Sequence, residues 1–125
     1  MIGATTPAEE RLIALVAAAA RGPKRDGLFA LWLVVRAAEG VLPPRPVSGK
    51  NHRRRLQALQ ARLASLALPA PLKRAVVAAR DHLEPGTPTV AALVLSQLVA
   101  PAREVLGAEA GDAVAVAVRA ARLHL

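Results

Sequence analysis

Proline and glycine punctuate this chain so regularly that only helix-length stretches are left between them. Thr6-Pro7-Ala8-Glu9 places a cap residue, a proline at the first helical position and a glutamate three residues after the cap, which together signal a first helix. Gly22-Pro23 is expected to stop it. A second helix is expected from about Asp26 to Glu39, ending at Gly40. From Leu28 to Val35 it is apolar on every side, as suits a helix at the centre of a bundle. Val41 to Gly49 carries Pro43, Pro44 and Pro46, so it reads as an extended connector with polyproline character.

The third helix is expected to start near Ser48 to Asn51. Its Leu56, Leu59, Leu63 and Leu66 recur at helical spacing and make one apolar stripe, on which His52 also falls. Pro69 and Pro71 interrupt the chain. A fourth helix follows from about Pro71 to Leu83, with Leu72, Val76, Ala79 and Leu83 on one face. Pro85-Gly86 marks a turn, and Thr87 caps a fifth helix that has Pro88 at its first position. Pro101 is expected to end or kink that helix, giving a short piece closed by Gly107. A sixth helix is expected over about Glu109 to Leu123. Its Val114, Val116 and Val118 alternate as in a strand, but Val114, Val118 and Ala121 also fit a helical face, and a lone strand would have no partner. The expected fold is a single all-α domain over residues 1–125, a compact bundle of about five to six short helices around the apolar second one.

The hydrophobic fraction is 54%, yet much of it is alanine, which favours helix and adds little core volume. With one Phe, one Trp and no Tyr, the core must be aliphatic and aromatic stacking platforms are nearly absent. Phe29 and Trp32 lie on the apolar second helix and are expected to be mostly buried. The lack of cysteine excludes disulfides, thiolate nucleophiles and cysteine-ligated metals, and is compatible with a reducing compartment. Leu12 to Ala20 resembles a signal-peptide core, but Glu9 and Glu10 stand where a basic segment is needed, so a cytoplasmic location is expected. The longest strongly apolar runs, Leu28 to Val35 and Val90 to Leu95, fall short of the roughly 20 residues of a membrane span, so none is expected.

The net charge of +8 is confined to one third of the chain. Between Gly40 and Arg80 there is no acid, while Arg45, Lys50, Arg53, Arg54, Arg55, Arg62, Lys73, Arg74 and Arg80 contribute +9, and the remainder sums to −1. Lys50-Asn51-His52-Arg53-Arg54-Arg55 opens the third helix, where the helix dipole favours anions and acids would be the stabilising choice. Basic residues placed there point to a phosphate-bearing ligand held by arginine forks. The candidate polyanion-binding set is Lys50, Arg53, Arg54, Arg55 and Arg62. On a helical wheel Lys50, Arg54, Arg55 and Arg62 lie off the leucine stripe and are expected to be exposed. His52 is expected to seal the core edge.

Other chemistries fail on spacing. Ser48-Gly49-Lys50 lacks the earlier glycine, the Ser or Thr after lysine and the preceding strand of a phosphate loop. Asp81 and His82 are adjacent, so on a helix they project about 100° apart and make no base with its orienter. His52, His82 and His124 have no metal-ligand spacing. The fourth and fifth helices could imitate a helix-turn-helix, but no Lys or Arg lies between Arg80 and Arg103 to face a polyanion. Pro43-Pro44-Arg45-Pro46 reads first as a stiff connector. No catalytic residue, metal or cofactor is expected, and the chain reads as non-enzymatic. The leading expectation is a basic module that contacts DNA or RNA backbone through the third helix. The alternative is a protein-interaction or homo-oligomeric assembly module, and an acidic protein partner could meet the same arginines.

Overall fold

The computed structural model describes residues 5–43 and 46–123. Pro44 and Arg45 of the proline-rich connector, and His124, lie outside the described residues. Six helices follow one another: α1 (Pro7–Ala18), α2 (Pro23–Glu39), α3 (Gly49–Ser65), α4 (Ala70–Leu83), α5 (Pro88–Leu106) and α6 (Ala108–Arg122). Among the described residues there is no strand.

The local signals act where they stand in the sequence, with two exceptions. At the start of α1, Thr6 accepts from the Glu9 amide at 3.2 Å while the Glu9 carboxylate receives the Thr6 amide, a complete capping box. Gly22-Pro23 does not end α1 but opens α2. Helix α1 stops at Ala18, and Gly22 has φ of 143°, a conformation that only glycine adopts without strain. Pro23 then occupies the first helical position, where its missing N–H costs nothing. The second exception is Pro101, which lies inside a continuous α5 instead of ending it. A proline there removes the partner of the Gln97 carbonyl, but Gln97 is exposed and water can serve it. Leu98, Ala102 and Leu106 are buried on both sides of the proline and hold the helix to the core.

Helix α2 is the hub and packs against all five other helices. Its Leu28, Leu31, Val34 and Val35 are almost wholly shielded, with Ala30, Ala37 and Ala38 between them. Alanine lets neighbours approach closely. At Gly27 an added Cβ would lie 2.7 Å from Leu106 Cδ2 and 3.1 Å from Leu72 Cδ2, so three helices meet where there is no side chain. Phe29 and Trp32 are partly buried and pack against the core, in keeping with the expectation that most of each ring is covered. They sit on the flank of α2 that α3 covers incompletely.

The remaining helices complete one aliphatic cluster. All four residues expected on the inner face of α4, Leu72, Val76, Ala79 and Leu83, are buried. Helix α6 is helical throughout, and Val114, Val118 and Ala121 are buried at helical spacing while Val116 is half-buried. Helices α5 and α6 are joined through Gly107 alone, with φ of 103°. By length and composition α5 is sufficient to cross a membrane, with a mean hydropathy of 1.4 in its most apolar window. A third of that window is buried inside the bundle.

Helix α3 is the peripheral element. It packs only on α2 and α4 and contributes just His52 and Leu59 to the fully buried set, with Leu56, Leu63 and Leu66 half-buried at its edges. Most of its circumference faces solvent, and that circumference carries the basic residues.

Candidate functional site

Ser48 caps α3 by accepting the Asn51 amide at 3.2 Å, which sets the phase of every residue after it. Lys50, Arg54, Ala58 and Arg62 then recur every four residues, forming one oblique row about 18 Å long. Lys50, Arg54 and Arg62 are exposed, as is Arg53. Arg53, however, lies on the opposite flank. It lines a groove of about 470 Å³ with Arg80, Asp81 and Glu84, and Arg80 is already bound to Asp81 at 2.8 Å. The stretch that is acid-free in sequence is therefore not acid-free in space: Asp81 and Glu84 from the end of α4 face Arg53.

Arg55 corrects the expected exposure. It is half-buried, and its Nη1 donates to the main-chain carbonyl of Arg36 at 2.8 Å. Gly40 leaves room for it, since a Cβ there would stand 2.7 Å from Nη1. Burial, and then the charge of Arg36, push the Arg55 guanidinium below its ordinary pKa, while Glu9 and Glu39 act in the opposite sense. Arg55 lies near the boundary of the leucine stripe, on the side that α2 covers, so a position off the stripe does not leave it in solvent.

The docking of α3 on α2 brings in an arginine that the charge run did not include. Arg36 and Arg54 line a notch of about 190 Å³ together with Arg55, over Leu33 and Ala58, and no acid lines it. The Arg36 guanidinium rests over the Trp32 ring, 5.5 Å from its centroid. A similar arrangement recurs further along the seam, where Arg62 stands 4.7 Å over Phe29. Phe29 and Trp32 themselves meet edge to face at 5.5 Å. The only two aromatic residues of the chain thus lie on the α2/α3 seam, each beneath an arginine. Arg55 against Arg36 and Arg62 against Phe29 also show that α2 and α3 run in opposite directions.

Behind Arg55 lies a small acidic cluster. Glu39, at the end of α2, accepts a 2.7 Å hydrogen bond from Thr6 Oγ1. Burial raises its pKa from 4.5 to about 7. The Thr6 bond lowers it, Glu9 adds to the rise, and Arg55 opposes it. Glu39 and Arg55 feel each other's charge without forming an ion pair. Among the described residues the ion pairs are Arg80–Asp81 and Arg103–Asp112, so the arginines of the seam are not neutralised by contact with a carboxylate.

Among the described residues His52 and His82 belong to no reactive constellation. His52 is buried at the α3/α4 junction as a structural group, and His82 is exposed. Among the described residues no three His, Cys, Asp or Glu side chains gather closely enough to hold a metal ion. Arg36 is the residue that sequence reasoning passed over. It stands 19 positions before Arg55 and outside the acid-free stretch, and only its position four after Trp32 hinted at a stacked role. No family model, curated protein or solved structure matches the chain.

Proposed function

We propose that this chain is a non-enzymatic binding module that contacts the sugar-phosphate backbone of a nucleic acid along the α2/α3 seam. The observation that carries this reading is the notch where Arg36, Arg54 and Arg55 come together with no acid in its lining. Three guanidiniums crowded in this way repel one another, and a phosphate group entering the notch replaces that repulsion with charge-assisted hydrogen bonds. Two of the three are held in advance, Arg36 on the Trp32 ring and Arg55 on the Arg36 carbonyl, so binding orders fewer side chains. Lys50 extends the same row one turn towards the start of α3, and Arg62 two turns towards its end. Arg53 stands apart, facing Asp81 and Glu84 across its own groove, and belongs to the periphery of such a contact.

Contacts of this kind read charge and spacing rather than base identity. The test is a salt titration of binding to duplex DNA, single-stranded DNA and a structured RNA, for the parent and for an Arg36→Ala/Arg54→Ala variant. The parent is expected to bind at low salt with a steep salt dependence. Each lost phosphate contact should reduce the slope by about 0.9 on duplex DNA. A parent that binds none of the three at low salt overturns the reading. An acidic polypeptide that competes on equal terms would assign the seam to a protein partner instead.

The alternative of homo-oligomeric assembly is favoured by the 55% exposure of Leu93 on the outer face of α5. Light scattering across a concentration series tests it, and a dimer disrupted by Leu93→Glu is the expected result.

A further inference from the structure

Arg21, Arg25 and Arg62 come from the turn after α1, the first turn of α2 and the last turn of α3, and all three line one cleft of about 440 Å³. Val16, Phe29 and Leu66 give it apolar walls, and Asp26 is the one acid in its lining. The cleft is distinct from the notch at Arg36 and lies about 10 Å further along α2, the axial rise from Phe29 to Arg36. Arg62 stands over Phe29 there, 4.7 Å from the ring centroid. Among the described residues none of the three arginines forms an ion pair.

We infer that this cleft binds a phosphate monoester carried on a hydroxylated, partly flat organic body, the chemistry of a nucleoside monophosphate. Charge is the first argument. Three arginines against one aspartate leave +2 around the cleft, which matches the charge of about −1.5 to −2 on a phosphate monoester near pH 7 better than the single charge of a diester. Three guanidinium forks also suit the three terminal oxygens of a monoester.

Size and lining supply the second argument. A bare phosphate would leave most of 440 Å³ empty, whereas small-molecule sites commonly span about 300–1,000 Å³. The rest of the ligand must then satisfy Val16, Leu66 and Asp26. Asp26 repels an anion and accepts from hydroxyls, so it orients a ligand that is anionic at one end and rich in hydroxyls at the other. The Arg62 guanidinium rests on Phe29 and offers a flat cation for a ring to stack on. This inference goes beyond the backbone-binding reading and stands without it, although both use Arg62.

The test is calorimetric titration of the full chain with adenosine 5′-monophosphate, adenosine and inorganic phosphate. It is repeated on Arg21→Ala/Arg25→Ala and on Arg36→Ala/Arg54→Ala, with circular dichroism confirming that each variant is folded. The monophosphate is expected to bind at least about tenfold more tightly than either fragment. The Arg21/Arg25 variant should lose that affinity, and the Arg36/Arg54 variant should keep it while losing affinity for duplex. A 5′-phosphorylated oligonucleotide that outbinds its 5′-hydroxyl counterpart supports the site with a strand terminus as the ligand's source. Equal binding of the two, with the monophosphate still bound, supports it with a free nucleotide as the source. Inorganic phosphate binding as tightly as the monophosphate, indifference to Arg21→Ala/Arg25→Ala, or no binding of the monophosphate at millimolar concentration overturns it.

Discussion

His52 Nε2 donates a 2.7 Å hydrogen bond to the main-chain carbonyl of Leu83, joining the first turn of α3 to the last residue of α4. A carbonyl only accepts, so Nε2 carries a proton. Nδ1 is buried without a partner among the described residues. The ring also lies against Gly86 in the α4/α5 turn, where an added Cβ would come within 3.4 Å of it. A single side chain therefore ties together α3, the end of α4 and the following turn.

His52→Ala should lower stability by about 2–3 kcal/mol, combining a lost hydrogen bond near 1 kcal/mol with the cavity left by the ring. His52→Phe refills the cavity without the donor and should recover part of the loss. Urea denaturation of the three proteins measures this. An unchanged midpoint for His52→Ala would mean that the bond adds nothing.

Glu39 makes stability depend on pH in the direction opposite to most carboxylates. Its folded pKa is about 7 against 4.5 unfolded, so the folded state binds the proton more tightly. Stability should be highest below about pH 4.5, fall as pH rises through that window, and level off above about 7, by an amount on the order of 3 kcal/mol. Glu39→Gln should flatten this slope while keeping an acceptor for Thr6. Arg55→Ala removes the opposing cation and should extend the fall to higher pH. Denaturation midpoints measured from pH 4 to pH 8, about the interval spanned by the two pKa values, decide the matter.

Two glycines should respond in opposite ways to alanine. At Gly111 a Cβ would lie 2.7 Å from Arg103 Cβ and 3.2 Å from Arg103 Cα, so α5 and α6 must separate. Overpacking of this kind costs about 1–3 kcal/mol and outweighs the roughly 1 kcal/mol gain in helix propensity. At Gly49 nothing lies within 4 Å, and only the gain remains. Thermal melts should show Gly111→Ala less stable and Gly49→Ala equal or more stable than the parent.

Arg54 and Arg55 are neighbours in sequence with different duties. Arg54→Ala should weaken polyanion binding and leave the melting temperature nearly unchanged. Arg55→Ala should cost about 1.5–3 kcal/mol of stability as well, because its guanidinium bonds a main-chain carbonyl. Leu59→Ala should cost about 2–5 kcal/mol while leaving the outward arginines in place. Equal melting temperatures for Arg54→Ala and Arg55→Ala would contradict this division.

The elements were legible because their signals are local. Thr6 with Glu9, Ser48 with Asn51, and Pro88 at a first helical position act within one helical turn. The inner faces of α3, α4 and α6 follow from side chains returning to the same side every three or four residues. The local signals misled where packing outweighed them. Pro101 is held in α5 by buried neighbours on both sides, and Gly22-Pro23 serves the helix after it rather than the one before.

For the seam, the sequence by itself determined that an acid-free basic helix exists and that Lys50, Arg54 and Arg62 leave the leucine stripe, but it misplaced Arg55 among them. Only the tertiary structure decided what stands beside them. Antiparallel docking of α3 on α2 sets Arg55 against Arg36 and Arg62 against Phe29, and the end of α4 returns Asp81 and Glu84 to Arg53. Helix formation is governed by contacts three or four residues apart, which a linear pattern records. Which arginines share a phosphate-sized space depends on the angle and register at which two finished helices pack, and those are set by side chains far apart in the chain.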